Sequence, residues 1–183
     1  MMWDLPTSVE INGEQFNIRN KCDYRVILDC IYALQDADLP QREQVRCALF
    51  IFYEDSENIK DIEEAVRQMM LIINNGKEEK EETAKPILMD WQKDFPVLAP
   101  PISRVLGYSV RSPEKFTHWY DFIGAYLEIG SECVFSNITT IRSKLQKGKP
   151  LEKYEEEFYR ENRDLVNLPR SLSEEEEMWL FSE

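Results

Sequence analysis

Residues Ile59, Ile62, Val66, Met69, Met70 and Ile73 recur at the 3.6-residue period of an amphipathic α-helix. A chain that repeats this period in segment after segment can bury its apolar side chains only by packing helix against helix. The stripe predicts a helix starting near Asn58, with Asp61 three positions on, and ending at Asn74-Asn75-Gly76, a left-handed stop signal. Met69 and Met70 together on such a stripe fill core or form an adaptable binding groove, since the thioether is flexible and polarizable.

Before this helix, Val9 to Ile18 alternates apolar and polar residues around Asn12-Gly13, a dipeptide suited to the positive φ angles of a tight hairpin turn. An isolated two-stranded hairpin is marginal in water. The side carrying Val9, Ile11, Phe16 and Ile18 must therefore dock on helices or pair with another chain. Asp23 is placed to cap a helix bearing Val26, Ile27, Ile31 and Leu34, and Pro40 suits the first turn of another bearing Val45, Leu49 and Phe52.

Residues 77–86, seven of them charged, read as an exposed connection between residues 1–76, the hairpin with three helices, and a helical subdomain at 87–168. In the second part, Ile87 to Phe95 suits a short helix, and a break or kink is expected near Pro100 because Pro96, Pro100 and Pro101 remove backbone donors. Phe116 to Gly130 gives an aromatic helix with Trp119, Tyr120, Ile123 and Tyr126. Val134, Ile138, Ile141 and Leu145 mark the next, ending near Lys147-Gly148. Leu151, Tyr154, Phe158 and Leu165 mark a last helix whose outer face carries Glu155, Glu156 and Glu157. The expected fold is mainly α, a hairpin followed by six or seven helices in a compact bundle, with two subdomains.

An acidic tail at 169–183 closes the sequence, Ser173-Glu174-Glu175-Glu176-Glu177 running into Met178-Trp179-Leu180-Phe181. It reads as a solvated tail or as a recognition segment in which Trp179 and Phe181 anchor to a partner. Met69, Met70, Trp179 and Phe181 are thus the candidate partner-binding residues.

Lys and Arg total 22 against 35 Asp and Glu, a formal charge of −13, and no basic stripe offsets it. Nucleic acid is an unfavourable partner for such a surface. No apolar run approaches the roughly 18 residues that a membrane span needs, and Met1 to Ile18 lacks the apolar core of a leader, so a cytosolic setting without membrane attachment is expected. Cys22, Cys30, Cys47 and Cys133 lack zinc or redox spacing and read as reduced, mostly packed thiols.

Catalysis would have to be built on His118, the one histidine, yet no glycine-flanked serine elbow accompanies it and no phosphate-binding loop exists. Asp90 and Asp94 flank Trp91 with no metal-binding partner, and capping or surface roles account for them. Arg142 sits beside the Ile138/Ile141 stripe, where pairing with Asp121 or Glu128 is expected. The residues alone predict no catalytic, cofactor or metal site.

The order Asp94, Leu106-Gly107-Tyr108, His118-Trp119-Tyr120-Asp121-Phe122, then Phe135, Ile138, Ile141-Arg142 and Lys144, with Leu5-Pro6-Thr7-Ser8 and the hairpin ahead of it, resembles the bacteriophage gp-fifteen family of siphophages and prophages. The resemblance spans most of residues 3–168, with Asp94, His118, Trp119, Phe122, Ile141 and Arg142 as its signature and packing positions. It implies a helical, non-catalytic tail assembly chaperone that needs no cofactor. Such a protein binds the tape measure protein, keeps it soluble, helps recruit tail tube subunits, self-associates, works in the host cytoplasm and leaves the finished virion. The alternative is an acidic regulatory or inhibitor protein that sequesters a basic host or phage partner; carboxylates gathered on one face favour it, whereas carboxylates interleaved with apolar grooves favour the chaperone.

Overall fold

The structure is a computed structural model, described here for residues 4–78 and 87–168. It is mainly helical with one antiparallel hairpin. The chain divides into two compact units, residues 1–83 with 99–129, and residues 84–98 with 130–183. This partition differs from the one expected from the charge run: residues 99–129, with the His118-Trp119 element, join the hairpin and first three helices rather than the helices that follow.

In the first unit, β1 (Ser8–Ile11) and β2 (Glu14–Asn17) pair with Ser8 opposite Asn17 and Ile11 opposite Glu14. Asn12 at φ 51° and Gly13 at φ 86° make the turn that this pairing requires. Val9, Ile11, Phe16 and Ile18 are all buried, so the hairpin docks within its own chain, with Phe16 edge-on to Tyr53 at 6.3 Å.

Three helices follow: α1 (Tyr24–Gln35), α2 (Gln41–Phe52) and α3 (Ile62–Ile73). Asp23 caps α1 as expected, accepting from the Arg25 amide at 3.0 Å. The expected start of α3 near Asn58 is corrected to Ile62. Residues Ser56–Asn58 form a separate short 3-10 turn, and the Asp61 carboxylate, accepting from the Glu64 amide at 3.0 Å, is the cap that wins.

The break expected at the prolines is absent: α4 runs without interruption from Trp91 to Leu106. Pro96, Pro100 and Pro101 withhold the donors that would reach the carbonyls of Gln92, Pro96 and Val97. Two things offset that loss. Asp90 caps the first turn, accepting from the Lys93 amide at 2.7 Å while its own amide donates to Asp94 at 3.0 Å. Leu98, Ala99 and Ile102 are buried, so burial of apolar surface outweighs intrinsic helix propensity. Beyond α4, α5 (Trp119–Leu127) returns to pack on α1.

In the second unit, residues 91–98 of α4 accompany α6 (Val134–Gln146), α7 (Lys153–Glu161) and α8 (Arg163–Val166). Ile138, Ile141 and Val166 form its core, with Val97, Leu151, Phe158 and Leu165 packed against them. The single last helix expected from Leu151 to Leu165 is two, parted at Asn162, where backbone torsions leave the helical region. Among the described residues no helix is long and apolar enough to cross a membrane.

Candidate functional site

His118 is not inside the aromatic helix but caps it. Its Nδ1 accepts from the Tyr120 amide at 3.0 Å, so the proton of the neutral ring sits on Nε2, which donates to the Pro6 carbonyl at 2.9 Å. Both ring nitrogens are therefore committed to backbone groups, and the ring is only 1% exposed. On either side of it the chain forms an antiparallel bridge. The Tyr24 amide donates to Thr117 at 3.0 Å and the Trp119 amide to Cys22 at 2.9 Å, while the Thr117 amide reaches the Asp23 carboxylate at 3.3 Å. The Trp119 indole N–H donates to the Ile73 carbonyl at 3.1 Å, tying α5 to the end of α3. Trp119 and Phe122 stack at 5.7 Å, and Phe122 stacks on Tyr24 at 4.4 Å. The element is a clasp joining four stretches of the first unit. Burial pushes the adjacent Cys22 thiol up to about 12, which keeps it protonated and weakly nucleophilic.

Arg142 makes the corresponding clasp in the second unit. Pairing with Asp121 or Glu128 is not what the structure shows: its two terminal nitrogens grip Asp94 at 2.6 and 2.8 Å. The guanidinium also donates to the carbonyls of Val166 at 2.5 Å, Leu88 at 2.9 Å and Leu165 at 3.0 Å. All five of its N–H donors are thereby used. Asp94 is fully buried, so a surface role for it is corrected to a core one. Sequence spacing could not reveal the pair, whose members lie 48 residues apart.

Glu155 is likewise not on an outer face. It is fully buried, accepting from the Lys144 ammonium at 2.6 and 2.7 Å and from the Glu152 amide at 2.7 Å. Burial, the largest single influence, pushes its carboxyl up, but the hydrogen bonds from Lys144 and Glu152 together hold it below the ordinary value. Glu152 and Glu155 form a capping box at the start of α7, and with glutamate rather than serine or threonine at the cap position its spacing gives no signature of it.

The methionine pair is split by the helix itself. Met69, fully buried between Ala65 and Ile72 along α3, is core and has no surface to offer a partner. Met70 lies about 100° round the helix, half-buried, and with Arg67, Leu71 and Asn74 makes a second stripe at i, i+3, i+4 and i+7. Together with Lys77 and Glu78 these residues line a groove of about 420 Å³. At its rim Arg67 forms a two-pronged pair with Glu64 at 2.7 Å in each prong, which, with help from Gln68, holds the Glu64 carboxyl down at about 2. Apolar Met70 and Leu71 under a rim of mixed charge can take an apolar side chain of a peptide or helix. Trp179 and Phe181 lie outside the described residues.

Residues 2–116, holding the hairpin, α1 to α4 and the α3 groove, match the family described as Bacteriophage Gp15 protein. The chain belongs to that family. The span matched to the Gp15 family is more than half the chain and includes Asp94; it stops two residues short of His118, so His118, Trp119, Phe122, Ile141 and Arg142 lie beyond it. No curated protein and no solved structure matches this Gp15-family chain.

Proposed function

We propose that this Gp15-family protein is a non-catalytic phage tail assembly chaperone. It binds the tape measure protein, keeps that long helical chain soluble and helps recruit tail tube subunits in the host cytoplasm before leaving the finished tail. The observation that carries the reading is the α3 groove, where Met70 and Leu71 are presented between Arg67 and Lys77 on a helix whose opposite face is locked into core. A rigidly held, adaptable apolar stripe is suited to transient capture of apolar helical segments. Carboxylates interleaved with bases around it, as in Glu64 with Arg67, support a chaperone over an acidic decoy. His118, with both ring nitrogens spent on backbone, supports a role without chemistry.

Co-expression with the tape measure protein tests the proposal. The wild-type chain should move the client into the soluble fraction, and Met70→Glu with Leu71→Glu should abolish that rescue while the variant itself stays folded by circular dichroism. Equal rescue by the double variant would remove the groove from the mechanism, and no rescue by the wild type would remove the function.

A further inference from the structure

The apolar face of the hairpin is used up within the chain, but one of its edges is not. Counting from the Asn12-Gly13 turn, Ile11 with Glu14 and Val9 with Phe16 are the pairs that exchange bonds across the hairpin, and the Ile18 amide continues the series by donating to Thr7 at 2.9 Å. The backbone groups of Ser8, Glu10, Gln15 and Asn17 therefore point outward, away from the neighbouring strand. On the β2 side that edge is partly closed: the Asn17 carbonyl accepts from the Glu54 amide at 3.1 Å, and Ile18 bridges to Tyr53. On the β1 side the amides and carbonyls of Ser8 and Glu10 meet no partner among the described residues, and Glu10 is exposed. Their side chains lie on the solvent face, where Ser8 donates to Gln15 at 3.2 Å and Gln15 to Glu10 at 3.4 Å. The opening is bounded at both ends. Pro6, the next outward residue, has no amide and its carbonyl is held by His118, while Asn12 lies in the turn with its side chain tied to Asp61 at 2.9 Å.

We infer that this short edge pairs with the same edge of a second copy of this chain, antiparallel, about a two-fold axis at Val9. That register sets Ser8 of one chain opposite Glu10 of the other on both sides of the axis, and it uses every open amide and carbonyl of β1. The neighbouring registers do not. Centring the pair on Ser8 sets Glu10 against Pro6, which has no amide to give; centring it on Glu10 sets Ser8 against the turn and opposes two carboxylates. In the Val9 register a hydroxyl meets a carboxylate instead, so the edge complements itself in charge as well as in bonds. The product is a four-stranded sheet, β2-β1-β1-β2, where the lone hairpin has only two strands. Its outer edges are those of β2, already partly closed, so growth stops at the dimer. So short a ladder lies below the area of a permanent interface, and the dimer is therefore weak and concentration-dependent. The inference does not rest on the chaperone reading or on the α3 groove.

Disulfide trapping of the intact chain, with Cys47→Ser and Cys133→Ser to remove the half-buried thiols, tests the register. Ser8→Cys chains mixed with Glu10→Cys chains should form a cross-link joining position 8 of one chain to position 10 of the other. Its yield should exceed that of either variant alone several-fold, because like positions lie beyond the roughly 7 Å Cα separation that a disulfide spans. Sedimentation at up to about 1 mM protein supplies the second arm. The wild type should dimerise, Ser8→Glu should weaken the dimer at least about tenfold by opposing carboxylates, and adding Glu10→Lys to that variant should restore it. A chain that stays monomeric to that concentration, a dimer indifferent to Ser8→Glu, or equal cross-linking by each cysteine variant alone would overturn the proposal.

Discussion

The two units solve one problem with opposite chemistry. Each must hold segments far apart in sequence, and each does so around a buried side chain whose every hydrogen-bonding nitrogen is used. In the first unit it is a neutral imidazole bonded only to backbone, His118 to the Pro6 carbonyl and the Tyr120 amide. In the second it is a full charge, Arg142, matched by buried Asp94 and three carbonyls. A neutral clasp costs little desolvation and is replaceable in parts. An ionic clasp costs much and is stable only while complete.

The largest expected effect follows from that difference. Arg142→Leu strands a buried carboxylate and the carbonyls of Leu88, Leu165 and Val166, and should cost about 3–5 kcal/mol in urea unfolding. Adding Asp94→Leu should recover part of the loss by removing the stranded charge, yet not all, since the three carbonyls stay without a donor. Full recovery would show that the carbonyl contacts contribute nothing. No recovery would show that the guanidinium's packing, rather than its charge, holds the unit.

His118→Ala should cost less, about 1–3 kcal/mol, the sum of a lost helix cap and an unsatisfied Pro6 carbonyl. His118→Asn should regain the capping share, because a short side-chain oxygen can accept from the Tyr120 amide, but not the reach to Pro6. Amide exchange at Tyr120 separates the two: it should accelerate in the Ala variant and be largely protected in the Asn variant. Equal exchange in both variants would mean that the cap is not what orders the start of α5.

These two clasps also mark the limit of what the sequence makes legible. The hairpin and the helices around Val26, Leu49, Met69 and Ile138 were readable because periodicity is local. The Asn12-Gly13 turn and the Asp23 cap were readable because their chemistry is encoded within a few residues. The partners of Arg142 and His118 were not, since a bond across 48 or 112 residues leaves no local trace. The uninterrupted α4 leaves no local signal, because intrinsic propensity cannot weigh the burial of Leu98 and Ile102 against three prolines. Met69 and Met70 both fit a generous stripe; only the packing of α3 decides which neighbour faces core.

Acid offers a gentler way to separate the two units. Glu155 in the second unit is held below the ordinary carboxyl value of 4.5 against the opposing pull of burial, because Lys144 and the Glu152 amide bind its charged form. A carboxyl depressed on folding contributes stability that is fully present above its unfolded value and is lost as pH falls through its folded one. The Lys144 ammonium, raised by the hydrogen bond to Glu155, shows the mirror case, keeping its contribution up to the unfolded lysine value and losing it only as pH rises through the folded value. Glu64 in the first unit is also depressed, but its pair with Arg67 is solvent-screened and tied to no buried group, so its loss should pass with little effect on packing. Between pH 5 and 2, amides of α6 and α7 should therefore lose exchange protection before those of α1 and α5. Glu155→Gln keeps the shape but not the charge, and should flatten that pH dependence while lowering protection at neutral pH. If α5 opens first, the neutral clasp at His118 is the weaker of the two, and the contrast between the units lies in packing rather than in charge.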